Sequence, residues 1–116
     1  MLKRRLLILL SLILSLGFSV TGGTLAEAVQ DNGVEREYYP DGTLRMENRW
    51  KNELIVRKRT FYRNGRTMSD YQYKNGVPVR FRTFYENGQL KSLWTAKSGE
   101  TRHYYEDGSL RAVVPQ

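Results

Sequence analysis

One motif returns four times in this chain, and it constrains the fold before composition is considered. It reads Tyr38-Tyr39-Pro40-Asp41-Gly42-Thr43-Leu44-Arg45, then Phe61-Tyr62-Arg63-Asn64-Gly65-Arg66-Thr67-Met68. It returns as Phe84-Tyr85-Glu86-Asn87-Gly88-Gln89-Leu90-Lys91 and last as Tyr104-Tyr105-Glu106-Asp107-Gly108-Ser109-Leu110-Arg111. Tyr39, Tyr62, Tyr85 and Tyr105 are spaced 23, 23 and 20 residues apart. A period in this range marks a repeat protein, in which one small supersecondary unit stacks on copies of itself. A second landmark runs in phase with the first: Trp50-Lys51-Asn52-Glu53, Tyr73-Lys74-Asn75-Gly76 and, more weakly, Ala96-Lys97-Ser98-Gly99. The three residues missing from the last interval fall between Gly99 and Tyr104.

Each repeat carries two turn signals. Asp41-Gly42, Asn64-Gly65, Asn87-Gly88 and Asp107-Gly108 suit two-residue type I′ turns, which require positive φ at both central positions. Asn75-Gly76 and Ser98-Gly99 suit the second turn, and Asn52-Glu53 is the weak candidate because Glu resists positive φ. Gly42, Gly65, Gly76, Gly88 and Gly108 are thus expected to be structural turn residues. Between turns lie runs of six to eight residues rich in Tyr, Phe, Trp, Thr, Val and Arg, which are strand lengths and strand compositions. The expected fold is all-β: an antiparallel meander of about eight strands, a thin twisted sheet of stacked hairpins preceded by an N-terminal signal helix.

Two-residue turns place Tyr39 opposite Leu44 and Tyr38 opposite Arg45, and alternation assigns the faces. One face is expected to collect Tyr39, Leu44, Met46, Trp50, Tyr62, Tyr71, Tyr73, Tyr85, Leu90, Trp94, Tyr105, Leu110, Ala112 and Val114, and to be the packed side. The other holds Arg36 and Tyr38, Arg59 and Phe61, Arg82 and Phe84, Arg102 and Tyr104, with an arginine two residues before the first aromatic of every repeat. Arg45, Arg49, Arg57, Arg80, Lys91 and Arg111 are expected on that same side, with Glu47 and Asp70 as its main acids. Such a face reads in two ways. It is a solvated surface in which arginine stems cover and stack on rings, or a ladder for an anionic or planar ligand, since the guanidinium fork takes carboxylate or phosphate in two places at once.

The N-terminus is built differently. Lys3, Arg4 and Arg5 precede an apolar run from Leu6 to Val20, and Ala26-Glu27-Ala28 presents small residues in the spacing read by a signal peptidase. This is the layout of a secretory signal peptide over residues 1–28, with cleavage expected after Ala28. An uncleaved anchor is the alternative, although the run is shorter than the roughly 20 residues that span a bilayer. The exported protein, periplasmic or extracellular, would then be residues 29–116, a single domain. Of 19 basic and 12 acidic residues, Lys3, Arg4, Arg5 and Glu27 fall in the leader, which leaves a net charge of +5. The chain has no cysteine. Neither a lipid-modified cysteine nor a disulfide is therefore available, and packing and strand pairing must hold the fold.

No catalytic constellation emerges. His103 is the only histidine, and with no partner at metal-binding spacing it reads as an ordinary strand residue. Ser69, Ser92, Ser98 and Ser109 lack a nucleophile-elbow context. Glu35 and Glu37 share a strand face and would suit acid–base hydrolysis if a cleft formed around them, but they read more simply as cross-strand partners of basic residues such as Lys58. No phosphate-binding loop, cofactor or metal motif is present. A basic-aromatic sheet could stack nucleic-acid bases, but an exported one more readily meets anionic lipid headgroups, acidic glycans or an acidic protein.

The repeat resembles the bacterial MORN-variant repeat, whose unit is aromatic-Tyr-x-Asn/Asp-Gly-x-Leu-Lys, a strand, and then a Tyr-Lys-Asn-Gly-type turn. Tyr39, Gly42, Leu44 and Arg45 match it; so do Tyr62, Asn64 and Gly65; Tyr85, Asn87, Gly88, Leu90 and Lys91; and Tyr105, Asp107, Gly108, Leu110 and Arg111. The resemblance covers roughly residues 34–114 and implies stacked hairpins. Many bacterial members are labelled antitoxins, and others are scaffolds or linked to membranes and lipids. The chain departs from the pattern where Arg57, Arg80 and Glu100 replace a Gly, and Arg59, Arg82 and Arg102 replace a bulky aromatic, which makes one face unusually basic. The expected function is an exported, non-enzymatic repeat module that binds a protein or an anionic envelope component, with the N-terminus as a possible membrane attachment. An antitoxin-like inhibitor of a toxin is the alternative.

Overall fold

The computed structural model describes residues 33–116; the signal-helix reading of residues 1–28 lies outside them. The described residues form eight strands: β1 (Gly33–Tyr38), β2 (Leu44–Lys51), β3 (Leu54–Phe61), β4 (Thr67–Lys74), β5 (Val77–Phe84), β6 (Leu90–Thr95), β7 (Glu100–Tyr104) and β8 (Leu110–Pro115). They make one sheet in chain order, every neighbour antiparallel. The three residues missing from the last repeat come out of β7, which has five residues where β3 and β5 have eight.

The first turn of each repeat is not the type I′ turn expected. The Gly42 N–H donates to the Tyr39 carbonyl at 2.9 Å and the Tyr39 N–H to the Thr43 carbonyl at 2.8 Å, so Pro40 and Asp41 are the central residues and Gly42 follows them. Only the glycine has positive φ, at +89°. Asp41 is there for its side chain: Oδ1 accepts the Thr43 N–H at 2.9 Å. Asn64, Asn87 and Asp107 repeat this bond to Arg66, Gln89 and Ser109, the side-chain turn that Asx residues make. Thr43 and Ser109 also donate their hydroxyls to Asp41 and Asp107 at 2.6 Å. These hydroxyl bonds, and then the backbone ones, hold both carboxyls below their ordinary range.

This loop contains one residue more than a two-residue hairpin, and a bulge absorbs it. Glu37 faces Met46, but Tyr38 faces Leu44, so the register slips by one between them. The same slip occurs between Thr60 and Phe61, Thr83 and Phe84, and His103 and Tyr104. Across these first turns the strand bodies therefore keep the expected register, while residues beside the turn do not. Across the second turns of β2–β3 and β4–β5 the register slips once more, between Arg49 and Trp50 and between Gln72 and Tyr73. Leu44, Leu90 and Leu110 lie opposite Tyr38, Phe84 and Tyr104, on the arginine side. Arg45, expected with the other arginines, pairs with Glu37 on the far side, and Lys91 lies 5.5 Å over the Tyr85 ring.

The second turn is type I′ in two repeats. Asn75 and Gly76 have φ of 52° and 76°, and Asn52 and Glu53 have 49° and 64°. Glu53 thus accepts the backbone that disfavours it. Ser98-Gly99 is instead the end of a four-residue loop, in which the Gly99 N–H donates to the Thr95 carbonyl at 3.0 Å.

No second layer covers either face among the described residues. The aromatic side is therefore not a packed core: Tyr71, Tyr73 and Trp94 are half-buried, although Tyr71 and Phe81, opposite each other, stack with centroids 4.0 Å apart. The two most buried residues lie on the arginine face instead, Asp70 and Glu47 at 1% and 5% exposure, with Phe61 beside them at 8%.

Candidate functional site

Strand alternation and the 23-residue period set a row across all eight strands. Arg36 faces Glu47, Glu47 faces Arg59, Arg59 faces Asp70, and Asp70 faces Arg82. Arg82 then faces Leu93, Leu93 faces Arg102, and Arg102 faces Val113. The four sequence-selected arginines thus stand in one row, one on every second strand. They are not neighbours, because Glu47, Asp70 or Leu93 stands between each pair.

The acids organise the first two-thirds of the row. Glu47 accepts from Arg36 Nε at 3.1 Å, Arg49 Nε at 3.1 Å and Arg59 Nη2 at 2.7 Å. Asp70 accepts from Arg57 through Nε at 2.8 Å and Nη2 at 3.0 Å, and from Arg82 Nη2 at 2.5 Å. Burial pushes the Glu47 carboxyl up, but hydrogen bonds from Arg59, Arg49 and Arg36 outweigh it and bring the value from 4.5 down to about 2. Asp70 moves the same way: burial raises it, and Arg57 and Arg82 more than compensate. A buried carboxylate is tolerated only when its lone pairs are met, and each of these two holds at least two guanidiniums.

The aromatic partners stand beside the row. The Arg59 guanidinium lies 5.4 Å over the Phe61 ring, and Arg82 lies 5.5 Å over Phe84. These contacts are the stem-and-stack arrangement that the two-residue spacing suggested. Tyr38 and Tyr104 continue the aromatic line at the two ends, opposite Leu44 and Leu110. Arg63, which sequence reasoning did not select, lies 5.4 Å over the Tyr39 ring.

The end of the row differs from its start. Arg102 is exposed, and among the described residues no carboxylate lies within ion-pair distance of it. On the opposite face, Glu35 accepts from Asn48 Nδ2 at 3.2 Å, and Asn48 stands between it and Lys58, so the Glu35–Lys58 partnership does not form. His103 sits between Ser92 and Ala112 on the same face.

Residues 31–52, 79–98 and 97–115 match the MORN repeat variant family, together about half of the sequence. The chain belongs to this family. Repeats of this kind are commonly protein- or membrane-binding modules and typically non-enzymatic. The match passes over the second repeat, where Arg66-Thr67-Met68 stands in place of the x-Leu-Lys ending, yet that repeat keeps the same turn and the same bulge. No curated protein matches the chain. Two crystal structures share the fold: a mutant of S. aureus TarM in complex with Fondaparinux, alpha-GlcNAc-glycerol and UDP, and TarM itself. Their TM-scores are 0.51 and 0.52, at 13% and 14% identity, over 70% and 73% of this chain. The matched region is 17% of each of those chains, and the likeness is one of fold alone.

Proposed function

We propose that this MORN-variant protein is an exported, non-enzymatic binding module whose arginine–aromatic face takes an anionic component of the cell envelope. The observation that carries the reading is the row itself, four arginines at every second strand, each two residues ahead of an aromatic. Guanidiniums held in register by the sheet are preorganised for oxyanions, and neighbouring rings give an apolar floor for whatever carries the anion. The secretory layout of residues 1–28 supports an envelope or extracellular location, with Val29 as the new N-terminus after cleavage.

The test is binding of the full chain to anionic phosphatidylglycerol vesicles and to an acidic polysaccharide, each against a neutral counterpart. Neutral vesicles report any insertion of the apolar N-terminal stretch. The reading expects binding to at least one anionic partner above that background, weakened by salt because exposed charges are screened within about 10 Å at 0.1 M. Equal binding to anionic and neutral partners contradicts it. N-terminal sequencing of the protein recovered from its host tests export separately: Val29 supports cleavage, and intact Met1 on all membrane-bound protein supports the anchor.

A second reading is a protein partner, including an antitoxin-like role toward a toxin. The last strand favours it. Leu110, Val113 and Val114 of β8 are 53%, 43% and 42% exposed, an apolar edge of the kind that pairs with an added strand.

A further inference from the structure

The ion-paired unit around Asp70 recurs one repeat later with its acid missing. Moving Arg57 and Asp70 along by 23 residues, and Arg82 by the shortened 20, gives Arg80, Leu93 and Arg102. The pairings are conserved in the move: Asp70 faces Arg82 across one strand boundary, and Leu93 faces Arg102 across the corresponding one. Both arginines that hold the carboxylate in the Asp70 unit are therefore present in the Leu93 unit, and the carboxylate is not.

The chemistry of the two arginines follows from that. Arg80 is half-buried, and its Nε is buried and donates to no protein acceptor. Arg59 and Arg82 also leave Nε unused, but each reaches a carboxylate through Nη2, and Arg80 reaches none. Arg102 is exposed, between Leu93 and Val113. Glu100 lies two residues before Arg102 on β7 and makes no ion pair with either arginine, and Asp70, on the strand next to Arg80, is held by Arg57 and Arg82. The third arginine at the unit, Arg82, is already bound to Asp70.

We infer that Arg80 and Arg102 bind a phosphate group over Leu93, in the role that Asp70 plays between Arg57 and Arg82. Inorganic phosphate carries nearly two negative charges at neutral pH and so can neutralise both guanidiniums, a phosphodiester headgroup carries one, and the oxygens of either match their forked donors. Leu93 supplies an apolar floor that cannot compete for those donors. The free ion and a lipid headgroup both present the phosphate oxygens that these guanidiniums recognise. This inference rests on the proposed anion-binding face and assigns its position within it.

The experiment uses the full chain in a neutral detergent, isotope-labelled, with inorganic phosphate as the first probe and phosphatidylglycerol vesicles as the second. Phosphate should shift the Arg80 and Arg102 Nε–H signals and the Leu93 amide saturably. Leu93→Asp supplies the missing carboxylate from within and should weaken phosphate binding at least tenfold. Leu93→Asn has the same shape without the charge and should bind within threefold of wild type, which separates charge from misfolding. Saturation by free phosphate with no response to vesicles assigns the site to a soluble ion; response to both assigns it to a headgroup. Equal binding by wild type and Leu93→Asp overturns the inference, as does equal loss in Asp and Asn variants. If wild type binds anionic vesicles while the Arg80 and Arg102 signals stay still, the anion-binding face survives and this placement fails.

Discussion

The Tyr62 hydroxyl donates to the Phe84 carbonyl oxygen at 2.7 Å, across one full repeat. Tyr39 does the same to Phe61 at 2.6 Å and Tyr85 to Tyr104 at 2.8 Å. The second aromatic of the motif is thus the tie between repeats in Tyr39, Tyr62 and Tyr85, a role that needs the hydroxyl, whereas the first aromatic is Tyr in two copies and Phe in two. Removing one such bond typically costs about 1 kcal/mol. Tyr62→Phe should lower the melting temperature by about 4–8 °C for a domain of this size. Tyr105, 53% exposed and with no such hydroxyl bond among the described residues, is the internal control, and Tyr105→Phe should be silent. Equal effects from both variants would contradict the inter-repeat tie.

Two backbone substitutions should act in opposite directions. Gly65 has φ of +87°, and a Cβ there meets no atom within 4 Å, so Gly65→Val tests conformation and not crowding. Strain of roughly 1–3 kcal/mol is expected. Glu53 sits at φ +64° in the position that Gly76 occupies one repeat later. Glu53→Gly should relieve strain and stabilise by up to about 1 kcal/mol, less the flexibility added to the unfolded chain. Denaturant midpoints check both; a destabilised Glu53→Gly would show that contacts of the Glu53 side chain outweigh its backbone strain.

Much of this architecture is legible in the sequence, and what is not has a local cause. The period yields the strand number and the row of arginines, because strand alternation propagates from any correct turn. The short β7 is visible as the missing three residues before Tyr104. The type of the first turn is not legible, because Asn-Gly and Asp-Gly serve two purposes: positive φ at both positions, or a side-chain acceptor followed by a left-handed glycine. The structure uses the second, and the resulting bulge moves Leu44 to the opposite face and turns Arg45 toward Glu37. The interleaving of acids with the arginines is written in the spacing of Glu47, Asp70 and Leu93, 23 residues apart, but becomes meaningful only once these positions are seen to share the row. Repulsion between the arginines, which a row of like charges suggests, is largely met within the fold.

Acid should weaken the sheet in a defined window. Glu47 titrates at about 2 in the folded protein against an ordinary 4.5, so the fold favours the carboxylate. Its contribution is complete above about 4.5 and is lost as pH falls through about 2. It amounts to about 3 kcal/mol at most. Asp70 acts in the same direction. Glu47→Gln should be less stable at neutral pH and should lose less stability on acidification to pH 2. Parallel acid-unfolding curves for variant and wild type would contradict the role of the carboxylate.

The most direct measurement compares the full chain with an Arg80→Gln, Arg102→Gln double variant on the same anionic vesicles at low salt. Neither arginine makes an ion pair among the described residues, so the fold should survive with an unchanged melting temperature. The account predicts anionic binding at least about tenfold weaker, each lost contact to a charged group contributing about 1 kcal/mol or more. An unchanged isotherm, with wild-type binding still salt-dependent, would show that the unneutralised end of the row is not where the anion binds.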